Sequence, residues 1–219
     1  MSTPPVRPVA RKGVAGEAAD RIRDAILSGE LPAGTALKEV ELAAQLAVSR
    51  GSVREGLVVL EGEGLVVSEW HRGTWVRSLA PEDVDELFTL RTALDVLAMR
   101  TAAARGKSFD TIDSVVGEMR HARTDAERVA LDMQFHDAVY AATGHRRLIE
   151  AWQAIRSQIH LFLLARIVGD ATYQDIVVPE HANLAAILRS GDVERAGQAA
   201  EEHLRGSYTK LVQRREESP

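Results

Sequence analysis

Four ionisable side chains fall on helix faces that are otherwise apolar, in three separate predicted helices. They are Asp132, His136, His181 and His203. Burying an unpaired carboxylate or imidazole is costly, so groups placed in this way are expected to converge and satisfy one another. Asp132 and His136 are one helical turn apart, and the set offers imidazole nitrogen with carboxylate oxygen. Such ligands favour a divalent metal, zinc first, with nickel or manganese also possible.

Each of these histidines taken singly has a simpler interpretation. A histidine on a core face is more often a hydrogen-bonded core residue than a ligand, so the prediction depends on the set of four. The remaining positions His121, His145 and His160 are expected at helix edges or in a turn, with no ligand role.

Two arginines are candidates for holding an acidic ligand near that metal. Arg91 lies on a core face, and Arg166 ends an inward stripe on a later helix. A guanidinium can bind a carboxylate through two parallel hydrogen bonds, which predicts contact with a small organic acid. The competing interpretation of Arg91 is a pair with Asp95, one turn along the same helix.

A DNA-reading element is indicated between Leu42 and Val76. The pattern there is a short helix, a tight turn, a second helix and a two-stranded hairpin, which is the order of a winged helix-turn-helix. Ser49 is the predicted N-cap of the second helix. The exposed first turn of a recognition helix faces base edges and phosphates, so DNA contacts are predicted here. The candidates are Ser49, Arg50, Ser52 and Arg54.

The hairpin is predicted from strands at Val66 to Glu69 and Thr74 to Arg77. Its tip offers His71 and Arg72 to phosphate or to a narrow minor groove, and Gly73 lets the backbone approach closely. The alternative is a polar turn without a DNA contact.

Beyond residue 81 the helical period dominates, and no convincing strand is found. The fold class is therefore mainly α, with an N-terminal winged helix-turn-helix followed by an all-α helical bundle. The predicted boundaries are a flexible tail at 1–13, the DNA-binding domain at 14–77, a linker at 78–81 and the bundle at 82–215. Helices are predicted at 82–105, 110–122, 124–143, 146–168, 172–190 and 192–214.

Composition narrows the class of protein further. The 219 residues include no cysteine, which excludes disulfides and thiolate metal ligands and is typical of the reducing cytoplasm. The formal net charge is −5, and positive charge is local rather than global. The sequence has neither a secretion signal nor an apolar run of the roughly 20 residues that span a bilayer, so a cytoplasmic protein without membrane contact is expected.

The segment from Ala18 to Val76 resembles the DNA-binding domain of GntR-family transcription regulators. The landmarks are IRDAILSGELPAGTAL, ELAAQLAVSR, VREGL and EGLV followed by RGTWV. The chain departs from the family pattern at Gly51 and Ser52, where Thr and Pro are usual, and at Val40, where an Arg is frequent. These departures concern which operator is read.

The segment from Pro81 to Tyr208 resembles FCD, the helical effector domain of the FadR-like branch. The marks are LFTLRTALD, DMQFHDAVYAATGH, EHANLAAIL and EEHL. The resemblance implies that Asp132, His136, His181 and His203 bind a metal, often zinc, beside a cavity for a small organic acid. His145 stands where the family usually has Asn, and Asp95 where it has Glu.

Together these features predict a metabolite-responsive transcription regulator, by default a repressor. It is expected to bind a palindromic double-stranded DNA operator as a homodimer, with one recognition helix for each half-site. Two alternatives remain open at this point: a metal-dependent hydrolase, and a DNA-binding protein whose metal is purely structural.

Overall fold

The computed structural model describes residues 13–106, 108–167 and 173–217. It consists of a winged helix-turn-helix followed by a bundle of helices, so the predicted fold class is confirmed. The predicted tail lies almost wholly outside the described residues. The side chains of Arg166, Gln174 and residues 210–217 also lie outside the described part.

The N-terminal domain contains three helices and one antiparallel hairpin. The strands pair with Val66 opposite Val76, and β2 begins one residue before the predicted position. An isolated bridge from Ala36 to Trp75 adds the segment before the second helix to the edge of the hairpin. The elements are α1 (Val14–Leu27), α2 (Glu39–Leu46), α3 (Arg50–Gly62), β1 (Val66–Glu69) and β2 (Gly73–Val76).

Local chemistry explains where the turn of this domain lies. Helix α2 ends at Leu46, and the next residue, Ala47, adopts a left-handed conformation with φ of 54°. The Ser49 hydroxyl then caps α3 by accepting a hydrogen bond of 3.1 Å from the backbone N–H of Ser52. Val53 and Leu60 on the inner face of α3 are fully buried. The opposite face, with its arginines, is therefore left towards solvent.

The C-terminal part contains helices only, among the residues described. Each of the predicted helices is present, with ends within three residues of the predicted ones. The bundle comprises α4 (Pro81–Arg105), α5 (Asp110–Met119), α6 (Asp125–Thr143), α7 (Arg146–Ile167), α8 (Tyr173–Ser190) and α9 (Val193–Glu217).

Helix α6 carries two of the candidate ligands and is fixed at both ends. At its start, Thr124 accepts from the backbone N–H of Glu127, whose carboxylate in turn accepts from the Thr124 backbone. At its end, Gly144 takes a left-handed conformation with φ of 53°, which any larger residue would adopt at a cost. The register of Asp132 and His136 is therefore set locally.

Helix α7 joins the two parts of the molecule. Its Leu161 packs into the hydrophobic core of the N-terminal domain, while Trp152, two to three turns earlier, belongs to the core of the bundle. His160 lies in the interior of α7 and is only 4% exposed. The expectation that it sits at a helix edge is therefore wrong, because its side chain is enclosed where α7 meets the N-terminal domain. None of the described helices is both long and apolar enough to span a bilayer.

Candidate metal centre and DNA-contacting surface

The structure brings the four predicted ligands together. Asp132 and His136 come from α6, His181 from α8 and His203 from α9. Each offers one ligand atom, and these atoms all lie within 4.8 Å of one another. Three of the side chains are buried and His203 is nearly so. Three helices therefore converge on one point.

Acceptors behind two of the imidazoles determine which nitrogen faces that point. His181 donates from Nδ1 to the backbone carbonyl of Val177 at 2.7 Å. His203 places Nδ1 at 3.0 Å from the carboxylate of Glu180. A proton held on Nδ1 leaves Nε2 with its lone pair, which is the form that ligates a metal.

The third imidazole is oriented in the same way by a carboxylate from α4. Nδ1 of His136 lies 3.1 Å from Oδ2 of Asp95. The other oxygen of Asp95 accepts a short hydrogen bond from the Tyr140 hydroxyl, and the Tyr140 ring stacks on Trp152 at 4.8 Å between centroids. These contacts hold His136 with Nε2 towards the centre, as metal-bound histidines are usually held.

Unsatisfied atoms at the centre show that the residues fit a cation. Nε2 of His181 lies 3.0 Å from Oδ1 of Asp132, and both atoms present lone pairs when Nδ1 carries the proton. Neither this Nε2 nor Oδ2 of Asp132 has a hydrogen-bond partner among the described residues. Two facing acceptors in a buried site need a proton or a metal ion between them. The donor set of three nitrogens and one oxygen suits zinc.

Arg91 lies beside this centre and is only 2% exposed. Its Nη2 atom is 2.8 Å from Nε2 of His136, and its Nε atom is 3.6 Å from Asp95. The guanidinium carbon lies 5.7 Å from the ring centre of Trp152. The competing interpretation, a helix pair with Asp95, therefore describes only part of its environment.

Burial and charge set the protonation of the site. Burial alone raises the pKa of Asp95, but His136 and Arg91 outweigh it and bring the pKa to about 2. Burial likewise opposes ionisation of Asp132, yet its contact with His181 holds that pKa well below its ordinary value. Burial lowers the pKa of His203 to about 4, against the effect of Glu180. At neutral pH both carboxylates are ionised and His203 is neutral, so Asp132 and His203 are each in the form that ligates a metal.

A cleft of about 190 Å³ reaches His203 from the surface. It runs between α8 and α9 and offers a short route to the centre. Its lining consists of Glu180, Asn183, Leu184, Ala199, Glu202 and His203.

The predicted recognition arginines are exposed but not free. Arg50 and Arg54 have side chains 62% and 63% exposed. Arg54 donates two hydrogen bonds of 2.8 Å to the carboxylate of Glu39 on α2, and Arg50 lies 3.7 Å from the same carboxylate. Sequence reasoning missed Glu39, although an acidic residue in the first turn of the helix before a recognition helix was visible.

The hairpin tip projects beyond the body of the domain. His71 adopts a left-handed conformation with φ of 62°, and Arg72 contacts Glu69 at 2.8 Å. Trp70 was not among the predicted contacts, yet its side chain is 87% exposed. Gly73 has φ of 114°, which favours glycine. The sequence signal for Trp70 was a large aromatic residue in an otherwise polar turn.

The helix-turn-helix and the hairpin share one concave surface. A cleft of about 550 Å³ separates α2 and α3 from β2, and it is lined by both Arg50 and Arg72. The structure therefore brings the two predicted groups of DNA contacts to the same side. Arg166 is part of α7, but its predicted ligand contact lies outside the described side chains.

Comparison with known proteins gives a consistent result. Residues 14–76 match the bacterial regulatory proteins of the gntR family, and residues 86–206 match the FCD domain. A curated relative is the "Probable D-xylose utilization operon transcriptional repressor" of Paenarthrobacter nicotinovorans. It is 32% identical over 198 residues, which cover 89% of this chain and 87% of the relative.

Solved structures show the same fold. A GntR transcriptional regulator from Rhodococcus sp. RHA1 aligns with a TM-score of 0.76 at 24% identity, covering 92% of this chain and 99% of the other. McbR/YncC of E. coli aligns with a TM-score of 0.80 at 18% identity, covering 93% and 99%. Both likenesses concern the fold alone.

The curated relatives are transcriptional regulators and not enzymes, which removes the hydrolase alternative. The helix-turn-helix with its hairpin, the helical bundle and both family matches agree. The chain belongs to the GntR family of bacterial transcription regulators, in the FadR-like branch that carries a C-terminal FCD domain.

Proposed function

We propose that this protein is a metabolite-responsive repressor that holds a divalent metal and binds a small organic acid beside it. The observation that carries the proposal is the convergence of Asp132, His136, His181 and His203 in a buried centre. The domain boundaries of 14–77 for DNA binding, 78–81 for the linker and 82–215 for the effector domain are part of the same proposal.

On DNA, the recognition helix α3 enters the major groove by its first turn. Arg50 and Arg54 contact base edges or phosphates there, and the hydroxyls of Ser49 and Ser52 assist at the helix N-terminus. The hairpin reaches the neighbouring backbone or minor groove. Its contacts are His71, Arg72 and Gly73.

In the effector domain, charge balance supports an anionic ligand. Asp95 and Asp132 together bring two buried negative charges, and Arg91 brings one positive charge. A divalent ion, of which zinc suits the donors best, changes the sum from −1 to +1. One carboxylate then restores neutrality, and an isolated buried charge is strongly disfavoured. The metal supplies a Lewis-acidic position to which an acid oxygen can bind.

A route from this pocket to the DNA-binding domain runs along α7. Trp152 contacts the ring of Tyr140 next to the centre, and Leu161 on the same helix packs into the N-terminal core. A ligand that shifts α7 therefore changes the placement of the recognition helix. Binding of the acid favours a conformation with lower operator affinity, and the operator is released.

Homodimerisation follows from the need to read two half-sites. Leu90 and Leu97 are exposed and seven residues apart on α4, so they share one outward face of that helix. This face suits a second copy of the chain. Replacing Leu90 with Glu is expected to shift the mass measured by light scattering towards the monomer, and an unchanged mass would place the interface elsewhere.

Repression is proposed because the relative described above is named as an operon repressor. Action on a chromosomal operator implies a bacterial cytoplasmic location. The remaining alternative is a purely structural metal with no effector at all.

One set of measurements separates these cases. Protein purified without a histidine tag is analysed for metal content, and its melting temperature is followed against a panel of carboxylic acids with and without added Zn²⁺. The proposal predicts about one equivalent of metal and a specific acid that raises the melting temperature. That acid must also release an operator fragment selected from genomic DNA. Metal without any stabilising acid would support the structural alternative.

A further inference from the structure

The Arg91 guanidinium contacts the His136 nitrogen to which a metal ion at the centre would bind. A guanidinium has only N–H donors, so in the 2.8 Å contact with His136 the Nε2 atom must be the acceptor. Nδ1 of His136 faces Asp95 and therefore carries the proton. Nε2 has a single lone pair in the plane of the ring. That lone pair can serve Arg91 or a metal ion, but not both.

The rest of the guanidinium is held more loosely. Its Nε atom is 3.6 Å from Asp95, too long for a hydrogen bond, and it has no hydrogen-bond partner among the described residues. The carbon lies over Trp152 at 5.7 Å, a contact that tolerates movement of the group across the ring face. The bond to His136 is thus the one hydrogen bond that the described residues give this guanidinium. The ion pair with Asp95 holds its Nε side, so the Nη atoms can turn about that side when the bond to His136 is lost.

We propose that Arg91 is a switch residue that links metal and carboxylate occupancy. It bonds His136 in one state, and when a metal takes Nε2 its guanidinium turns to a carboxylate anion. This inference rests on the proposed metal and acid site, and it adds that binding of the metal favours binding of the acid. The acid binds tightly only to the metal-loaded protein, even if none of its oxygens touches the metal.

Because coupling between two ligands is reciprocal, the switch can be tested by measuring metal affinity, without DNA or a regulatory assay. If metal frees Arg91 for an anion, then an anion that captures Arg91 must raise metal affinity by the same factor. Acetate is a sufficient probe, because only the carboxylate is required. Zn²⁺ affinity is measured by competition with a chelator at fixed free Zn²⁺, with acetate or with chloride at equal ionic strength.

In the wild type, acetate is expected to tighten Zn²⁺ binding severalfold. Arg91→Met retains an apolar stem over Trp152 but removes the competing donor and its charge. This variant is expected to bind Zn²⁺ about tenfold more tightly in chloride, the equivalent of one lost hydrogen bond to a charged group, and to show no acetate effect. Arg100→Met is the matched control, since Arg100 is on the same helix, is exposed and pairs with Glu194 away from the centre. It should behave as the wild type.

The Zn²⁺ measurements separate failure of the proposed metal site from failure of the Arg91 switch. Wild-type protein that takes up no Zn²⁺ overturns the proposed site and this inference together. Wild-type binding that is equally tight in Arg91→Met, or that is insensitive to acetate, overturns the inference and leaves the site intact.

A second measurement covers the case in which Arg91→Met does not fold. In ¹⁵N spectra of the metal-free wild type, the Arg91 Nη2 protons are expected to exchange slowly, and Zn²⁺ should shift the His136 Nε2 signal and at the same time speed that exchange. Nη protons that stay protected in the Zn²⁺ complex would refute the switch.

Discussion

Two clusters of arginine and carboxylate lie in opposite environments in this molecule. In the DNA-binding domain, Glu39 pairs with Arg54 and Arg50 on the surface. In the FCD domain, Arg91 and Asp95 lie in the core. An exposed pair is screened by water and salt and contributes little to folding, so its arginines can exchange a carboxylate for a phosphate at low cost.

The buried cluster behaves differently because water cannot replace a lost partner. Removing one member leaves an uncompensated charge, which costs several kcal/mol in typical cases. Such a cluster tolerates only a change that supplies a new partner at once, such as a metal or an anion. From this difference in burial we expect the surface cluster to adjust DNA affinity gradually and the proposed core cluster to switch between few states.

The largest effect is expected from breaking the buried cluster at a ligand. His181→Ala removes one of the three imidazole nitrogens that the centre offers, so Zn²⁺ affinity should fall by roughly two orders of magnitude or more. Chelator competition measures it. His121→Ala is the control, since His121 is exposed and outside the centre. A loss smaller than tenfold would mean that His181 is held by Val177 and Asp132 for structural reasons alone.

The surface cluster is tested by removing its arginines singly. Arg50→Ala and Arg54→Ala are each expected to weaken operator binding by roughly 10- to 100-fold, the usual cost of a lost base or phosphate contact. Fluorescence anisotropy with a selected operator gives the values, and circular dichroism should show unchanged folding because both residues are exposed. Arg146→Ala, an exposed arginine of the effector domain, should be neutral. Intact binding in both variants would contradict the recognition-helix assignment.

Much of the fold could be predicted because its signals are local. Ser49 caps a helix by accepting from the backbone N–H three residues later, and Gly144 ends a helix by its own left-handed conformation. Both residue types therefore mark helix ends in the sequence. The candidate metal ligands were predictable for a related reason. A polar residue such as Asp132 is conspicuous on an apolar face once the helical period is known.

Contacts between distant segments could not be read in the same way. Glu39 and Arg54 are 15 residues apart on different helices, and their pairing depends on the crossing angle across the turn. Asp95 and Tyr140 are 45 residues apart. Leu161 has the pattern of a bundle residue, yet it completes the core of the other domain. Periodicity states which face is buried but not which partner buries it.

The pH dependence of stability provides a further test, at a buried histidine that belongs to neither cluster. His160 is buried, and burial followed by the charge of Arg156 lowers its pKa to about 4, against a weaker opposing effect of the Leu27 backbone. The unfolded chain takes up this proton near pH 6.5 and the folded protein does not. Stability is therefore lost as the pH falls from about 6.5 towards 4.

For one proton the expected loss in unfolding free energy is about 2 kcal/mol between pH 7 and 5. Urea denaturation at both pH values measures it, with EDTA present to remove metal effects. His160→Leu should reduce the pH-dependent difference by about that amount, whereas His121→Leu should leave it unchanged. An equal pH dependence in wild type and His160→Leu would show that His160 is protonated in the folded protein as well.

The smallest effect is expected at Glu39, where the surface cluster can be adjusted without being removed. Glu39→Gln frees Arg54 for one further phosphate, so the slope of log affinity against log salt for non-specific DNA should steepen by about 0.9. Affinity for non-specific DNA should rise severalfold at low salt and operator affinity less, because the operator complex already uses the arginines. Discrimination between the two therefore falls. Glu41→Gln is the matched control, since Glu41 lies on the same helix but pairs with Lys38 at 2.8 Å. If the slope and the discrimination are the same in Glu39→Gln and Glu41→Gln, Glu39 does not restrain the arginines, and the two clusters differ in burial but not in task.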